Sequence, residues 1–160
     1  MSMYEYPVAE EGCFLIDRTV APWIWRNLDQ QDGTVPEELQ GVDDETFKAM
    51  IKNDELPEEN DCPGDLFDVL NKKKNIPGLI WCSDFSGEVS SLRGNALEFK
   101  VDGEEILYIQ PERESTLFHT AYSSFEELVE EFKHKLAGLG IPDDFDWEGH
   151  IVKINGTNFC

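Results

Sequence analysis

The side chains best suited to chemistry in this chain are carboxylates, and many of them lie in one segment. Residues 29–68, called here the acidic segment, contain 14 acidic side chains against Lys48 and Lys52, a net charge of −12. Such a cluster attracts a cationic protein surface over long distances and makes binding depend on salt. We therefore predict that the segment binds a basic partner, through Glu37, Glu38, Asp43, Asp44, Glu45, Asp54, Glu55, Glu58, Glu59 and Asp61. The alternative is a pair of solvated loops whose acids only keep the protein in solution.

Tryptophans next to the acidic segment are candidate anchors for the same partner. Binding energy usually concentrates in a few aromatic and arginine positions. Trp23 and Trp25 precede the segment closely, and Phe47 lies within it. We predict Trp23 and Trp25 as partner-binding residues, and the competing interpretation places them in the hydrophobic core.

Histidines offer a different chemistry, that of a small enzyme. A catalytic histidine needs a carboxylate, thiol or hydroxyl within hydrogen-bonding reach. The alternative function is therefore an enzyme that uses His119 or His150 with a carboxylate. Glycine-rich phosphate loops and the Gly-x-Ser-x-Gly pattern of serine hydrolases are absent from the chain. These absences favour a non-catalytic protein.

The sequence that follows residue 143 has the spacing of a calcium loop. Loop positions 1, 3, 5, 6 and 8 are taken by Asp144, Asp146, Glu148, Gly149 and Ile151. Position 12, where such a loop needs a bidentate Glu, is Asn155. A calcium-binding module over residues 144–155 is therefore a further alternative, and no metal site is predicted.

The cysteines indicate neither zinc nor disulfides. Cys13, Cys62, Cys82 and Cys160 contain no Cys-x-x-Cys pair, and a structural zinc site usually draws on at least one close ligand pair. The N-terminus lacks the basic and apolar regions of a secretory signal. We predict a cytoplasmic protein with reduced thiols and no cofactor.

The charge of the whole chain excludes some classes of binding partner. Its 160 residues include 34 acidic and 13 basic side chains, a net charge of −21. This surplus opposes direct binding to nucleic-acid phosphates, and no apolar run is long enough to span a membrane. The leading prediction is an inhibitor of the immunity or antitoxin type that neutralises a basic protein such as a nuclease. A related alternative is a phage-type DNA mimic that inhibits a host defence nuclease.

Hydrophobic periodicity predicts a single α+β domain over residues 1–160, with a mostly antiparallel sheet of about five to seven strands. The predicted strands cover residues 13–16, 79–82, 88–92, 97–101, 104–110, 117–122 and 149–154. Ser86-Gly87 and Asp102-Gly103 are predicted turns, and the last strand is predicted at a sheet edge.

Helices are predicted on both sides of these strands. Short acidic helices begin near Pro22, Asp43 and Pro63, and an amphipathic helix covers residues 124–136 with Ser124 and Glu127 as a capping box. The amphipathic helix is expected to cover one face of the sheet.

The second half of the chain carries one loose resemblance. A predicted strand meander leads into Ser-Ser-Phe-Glu-Glu-Leu at residues 123–128 and an amphipathic helix. This arrangement is similar to the C-terminal part of small bacterial immunity proteins, many of which are acidic α+β domains that neutralise toxin nucleases. The resemblance covers about a third of the chain and does not assign it to a family.

Overall fold

The computed structural model describes residues 5–56, 63–94, 96–112 and 124–159. These residues form four strands and four α-helices, which confirms the α+β class. In chain order they are β1 (Glu5–Leu15), α1 (Ala21–Asp32), α2 (Asp44–Lys52), α3 (Pro63–Lys73), β2 (Leu79–Ser91), β3 (Glu98–Ile109), α4 (Phe125–Lys135) and β4 (Ile151–Phe159). Short 3-10 turns cover Glu37–Leu39 and Glu148–His150.

The four strands close into an antiparallel barrel in the order β1-β3-β2-β4. β4 pairs with β1 from Glu5–Phe159 to Phe14–Ile151, and with β2 from Phe85–Asn158 to Ser91–Val152. The prediction that the last strand lies at an edge is therefore wrong. Closure of the barrel gives this strand a partner on both sides.

The described residues contain fewer strands than predicted because two predicted turns lie inside continuous strands. β2 runs through Ser86-Gly87, and β3 runs through Asp102-Gly103. Register shifts between Cys82 and Ser86 bend β2 at this point, so the chain coils with the barrel instead of reversing. The predicted strand at residues 117–122 lies outside the described residues.

Alternation along the strands produces two hydrophobic cores, because successive side chains point to opposite faces. One face fills the barrel with Cys13, Leu15, Cys82, Phe85, Val89, Val101, Ile106, Tyr108, Val152 and Ile154. The other face packs against the helices through Phe14, Leu107, Ile109 and Ile151. Within this second core, α4 contributes Leu128 and Phe132, which places the amphipathic helix against the sheet.

The helix starts follow the predicted capping signals. α1 has Pro at its first turn, the Asp43 side chain accepts from the Thr46 N–H at 2.8 Å, and Ser124 Oγ accepts from the Glu127 N–H at 3.1 Å. Each of these signals is local, since a cap needs only the residues of the first helical turn. Among the described residues, no helix combines the length and the apolar character needed to cross a membrane.

Candidate functional site

A cavity of about 730 Å³ lies between the acidic segment and β3. Trp25 of α1 and Phe47 of α2 line one wall, and Phe99 and Val101 of β3 line the other. Leu66 of α3, which is fully buried, contributes to the floor. The volume falls within the range of about 300 to 1,000 Å³ that is usual for ligand sites. The fold thus holds an apolar recess beside the most acidic part of the chain.

Carboxylates outnumber cations around this cavity. Its lining includes the acidic residues Asp17, Asp29, Asp54, Glu104 and Glu105, and the basic residues Arg18 and Arg26. Arg26 is already engaged, because its guanidinium donates to Asp44 Oδ1 at 2.7 Å and to the Val42 carbonyl at 2.6 Å. Burial and the neighbouring charge of Asp32 raise the pKa of Asp29 above its usual value. The rim therefore presents net negative charge to an incoming group.

The predicted acidic contacts that the structure describes are all exposed. They are Glu37, Glu38, Asp43, Asp44, Glu45, Asp54 and Glu55. Asp43 caps α2, and hydrogen bonds from Thr46 lower its pKa. Asp44 pairs with Arg26, and Asp54 pairs with Arg18 at 3.8 Å.

Three predicted contacts, Glu58, Glu59 and Asp61, lie outside the described residues. Asp17, Glu104 and Glu105 also line the cavity, although they lie outside the acidic segment and were not predicted as contacts. The alternating acids of β3 are a signal for a solvated strand face. Nothing in that pattern tells which helices face the strand.

Acidic side chains also occur away from the cavity. A smaller recess of about 300 Å³ between α4 and the loop before β4 is lined by Glu126, Glu130, Asp143, Asp146 and Glu148, together with Lys133. Here Arg93 pairs with both Glu126 and Glu148, at 3.1 and 3.6 Å, and Lys133 pairs with Glu130 at 3.8 Å. The acids of this face are thus partly neutralised by the chain itself.

The two tryptophans predicted as anchors differ in their exposure to solvent. Trp23 is 4% exposed and packs edge-on against Phe47, with ring centroids 4.9 Å apart. Trp25 is half-buried on the cavity wall. A partner can reach Trp25, whereas Trp23 serves the core beneath it.

The buried His150 side chain is hydrogen-bonded to the half-buried Asp17 and the exposed Thr19. Its Nε2 is 3.2 Å from Asp17 Oδ1 and 2.9 Å from Thr19 Oγ1, and its Nδ1 is 2.9 Å from the Asp146 carbonyl oxygen. Burial lowers the pKa of His150, but the hydrogen bond and charge of Asp17 outweigh it and raise the pKa overall. For Asp17, burial raises the pKa, and the bonds from His150 and Thr19 lower it overall.

This geometry opposes use of His150 as a general base. An imidazolium donates from both ring nitrogens, and each nitrogen here faces an oxygen acceptor of the protein. A base would need a free lone pair directed at a substrate proton. The cluster instead lies at the start of α1, where the backbone carbonyl of Asp17 accepts from the Ala21 N–H at 3.0 Å. The other predicted histidine, His119, lies outside the described residues.

The segment with calcium-loop spacing adopts a different structure. Asp146 Oδ1 accepts from the Gly149 N–H at 3.1 Å, and the chain enters β4 at Ile151. Asn155 consequently lies in the ladder of β4, opposite Ala9 of β1 and Glu88 of β2, so it cannot close a loop onto Asp144. No group of three or more histidine, cysteine or acidic side chains in the described ranges is placed to hold a metal ion.

Inside the barrel, Cys13 and Cys82 are both buried. Cys13 Sγ lies 3.8 Å from Glu10 Oε2. Burial and the Glu10 carboxylate raise the pKa of the Cys13 thiol far above its usual value. A thiol held in its neutral form is a poor nucleophile, so Cys13 acts as a small core residue.

Comparison with protein-family models, with curated proteins and with solved structures finds no match for this chain.

Proposed function

We propose that this protein is a non-catalytic acidic inhibitor, of the immunity or antitoxin type, that binds a basic protein through the cavity and the acidic segment. The observation that carries the proposal is the apolar cavity of about 730 Å³ whose charged lining is mainly carboxylate. Apolar anchors surrounded by complementary charge are the usual composition of a protein-binding hot spot.

In the proposed complex, lysine and arginine side chains of the partner pair with exposed acids of the acidic segment, which borders the cavity through Pro36, Leu39 and Asp54. Glu37, Glu38, Glu45 and Glu55 are exposed and make no ion pair with any residue in the described ranges. Binding at these four positions therefore breaks no existing bridge. An apolar side chain of the partner enters between Trp25 and Phe99, which excludes water from the ion pairs around it and strengthens them.

Inhibition follows from the charge of the target. Proteins that cut or bind nucleic acids recognise phosphates with clustered lysine and arginine. A carboxylate surface that covers such a cluster blocks the phosphates from reaching it. The DNA-mimic alternative makes the same contacts on a host defence nuclease, and competition with a DNA duplex for the target distinguishes it from binding at a separate site.

The cluster around His150 supports binding over the enzyme alternative. Both ring nitrogens of His150 are engaged by Asp17, Thr19 and the Asp146 carbonyl. The side chain is only 6% exposed. A substrate would have to displace these bonds before the imidazole could transfer a proton.

The test is a pair of variants with equal loss of charge. Glu37, Glu38, Glu45 and Glu55 are changed together to Gln in the first variant, and the control changes Glu5, Glu11, Glu130 to Gln and Asp143 to Asn. The partner is captured from the native host, purified and titrated with both proteins at 50 mM salt. We expect the first variant to bind about 100-fold more weakly, at about 0.7 kcal/mol for each lost ion pair, and the control less than about threefold.

Two outcomes would contradict the proposal. Equal losses in both variants would mean that only the total charge matters and that the cavity face has no special role. Unchanged affinity in the first variant would assign these acids to solubility alone. Circular dichroism spectra of both variants check that the fold is intact.

A further inference from the structure

Among the described residues, one edge of β3 has no strand partner over most of its length. β1 and β3 pair at Phe14–Ile109 and Leu15–Tyr108, and the Ile16 N–H donates to the Leu107 carbonyl at 2.9 Å. The chain of β1 then turns away into α1, while β3 extends back to Glu98. Within the described part of the chain, β3 from Glu98 to Glu104 is therefore paired with β2 alone.

The register identifies the backbone groups that point away from β2. The Ser91 N–H donates to the Leu97 carbonyl at 2.8 Å, so residue 97 faces β2. In an antiparallel ladder the bonding direction alternates along the strand. Phe99, opposite Val89, and Val101, opposite Gly87, then face β2 as well. The N–H and C=O groups of Lys100 and Asp102 point to the unpaired edge.

This edge runs along the cavity. Phe99, Val101 and Glu104 of β3 belong to the cavity lining, and Trp25 and Phe47 stand on the opposite wall. Phe99 is 38% exposed, which is unusual for a large apolar side chain on a strand that borders a core. An unpaired edge of this kind is a template for a strand from another chain.

The charge of this edge indicates which kind of chain can bind there. The edge and the cavity rim carry Glu98, Asp102 and Glu104 with Lys100 as the one described cation of β3. A second copy of this protein would bring another −21 charges against them and be repelled. A basic segment is attracted.

We propose that an extended basic segment of the partner adds to the outer edge of β3 as a further strand. Its backbone bonds to Lys100 and Asp102, alternate apolar side chains enter the cavity, and the lysines or arginines between them face the carboxylate rim. This binding mode rests on the proposed function, because it describes how the same basic partner occupies the same cavity. Strand addition gives affinity through the main chain and specificity through alternate side chains.

The experiment uses two synthetic peptides and the full chain. The first peptide has ten residues that alternate Lys and Val, and the second carries backbone N-methyl groups on its four central residues. Both peptides have the same charge, but the second cannot donate strand hydrogen bonds at its centre. We expect the methylated peptide to bind at least tenfold more weakly. We also expect the first peptide to slow hydrogen exchange at the Lys100 and Asp102 amides at least tenfold.

The chain supplies matched controls. The Phe99 and Val101 amides already bond to β2, so their exchange should change far less on peptide binding. The variant Lys100→Pro removes one outward N–H without removing a backbone hydrogen bond to β2. It also removes the Lys100 cation and its 3.9 Å ion pair with Glu88, a change that by itself favours a basic peptide, so we attribute to the lost N–H the roughly tenfold weaker binding of the first peptide that we expect. Should this variant fail to fold, the comparison of the two peptides still decides the question.

The outcomes separate strand addition from charge attraction. Equal binding of both peptides without slower exchange at Lys100 overturns strand addition and leaves the proposed function standing. The first peptide is also tested on the variant that lacks the charges of Glu37, Glu38, Glu45 and Glu55. If its affinity and its protection of the Lys100 amide are unchanged in that variant, the charge proposal is overturned and strand addition is supported. No binding of either peptide at about 1 mM, a very weak affinity, overturns both. If the protein is a dimer and the Lys100 amide already exchanges slowly without peptide, the edge of β3 pairs with a second copy of the chain, which overturns the proposal of a basic partner segment.

Discussion

A small hydrogen-bonded cluster connects the end of β1 to the start of β4. It consists of Asp17, Thr19 and His150. The Thr19 hydroxyl donates to Asp17 Oδ1 at 2.7 Å, and the same carboxylate oxygen is 3.2 Å from His150 Nε2. A neutral imidazole could satisfy only one of the acceptors at its two nitrogens. Protonation of His150 is therefore coupled to the packing of the loop that borders the cavity.

This coupling predicts a pH-dependent contribution to stability. The pKa of His150 is raised, so its contribution is complete below the unfolded-state value of about 6.5 and is lost as pH rises through the folded-state pKa. The pKa of Asp17 is lowered, so its contribution is complete above about 3.9 and is lost as pH falls through the folded-state pKa. The ion pair is thus fully formed between about pH 4 and 6.5.

We expect His150→Gln to lower the free energy of unfolding by about 3 kcal/mol at pH 5.5, because it leaves a buried carboxylate without its cation. The difference from the unmodified protein should shrink at pH 8.5. Urea unfolding at both pH values measures it, and His134→Gln on the exposed face of α4 is the control. A difference that does not change with pH would show that neutral imidazole makes equally strong contacts.

At the scale of elements, the barrel depends on a close approach of the β2 and β4 backbones. Gly87 is opposite Gly156, and a Cβ atom on Gly87 would lie 2.3 Å from the Asn155 carbonyl oxygen and 2.5 Å from Gly156 Cα. Both atoms belong to the backbone, so a strand would have to move to make room.

We expect Gly87→Ala to destabilise the protein by about 4 kcal/mol or more, the range of severe packing defects. The matched control is Gly94→Ala, which also replaces a glycine but has open space around its Cβ position and a φ of +70°. That variant should cost about 1–2 kcal/mol through its backbone conformation alone. Urea unfolding compares the two, and similar costs would show that the strands separate easily at this close approach.

The helices could be predicted from the sequence because their signals are local. Asp43 and Ser124 cap the helices that follow them, as their spacing to the first apolar residues indicates. Strand pairing involves distant residues, and here it outweighed the local turn signal at Asp102-Gly103. The Gly103 N–H donates to Ser86 Oγ on β2 at 2.9 Å, so the dipeptide lies within the ladder.

The same distinction applies to the candidate site. The acidic segment on one side of the cavity was predictable, since its carboxylates, such as Glu37 and Glu38, are close together in the sequence. The opposite wall was not, because Phe99 and Glu104 reach the cavity only through barrel closure. Trp23 and Trp25 are two residues apart on one helix, and their different exposure depends on which helix face α2 covers.

For the whole molecule, the carboxylates act in two opposite ways. A net charge of −21 opposes the compact state, because like charges repel over the entire surface. The same charges attract a basic partner, but that attraction depends on how close each carboxylate lies to the contact. The free energy of unfolding therefore depends on the total charge, whereas the association rate depends on where the charges lie.

Salt separates the two effects. Raising sodium chloride from about 10 mM to about 100 mM shortens the screening length from about 30 to about 10 Å. We expect the melting temperature of the protein to rise by several degrees and the association rate with its basic partner to fall about tenfold. Calorimetry and stopped-flow mixing measure the two quantities on the same samples.

The two fourfold charge variants then locate the attraction. The two variants remove the same number of charges, so both should reduce the salt dependence of the melting temperature. The reduction should be smaller in the control, because Glu11 and Glu130 are paired with Lys153 and Lys133. Only the first variant should reduce the salt dependence of the association rate, because the acids that it lacks belong to the acidic segment, which borders the cavity through Pro36, Leu39 and Asp54, and local charge governs the encounter. If both variants reduced that salt dependence equally, the attraction would come from the molecule as a whole, and the cavity could not be the place where the partner docks.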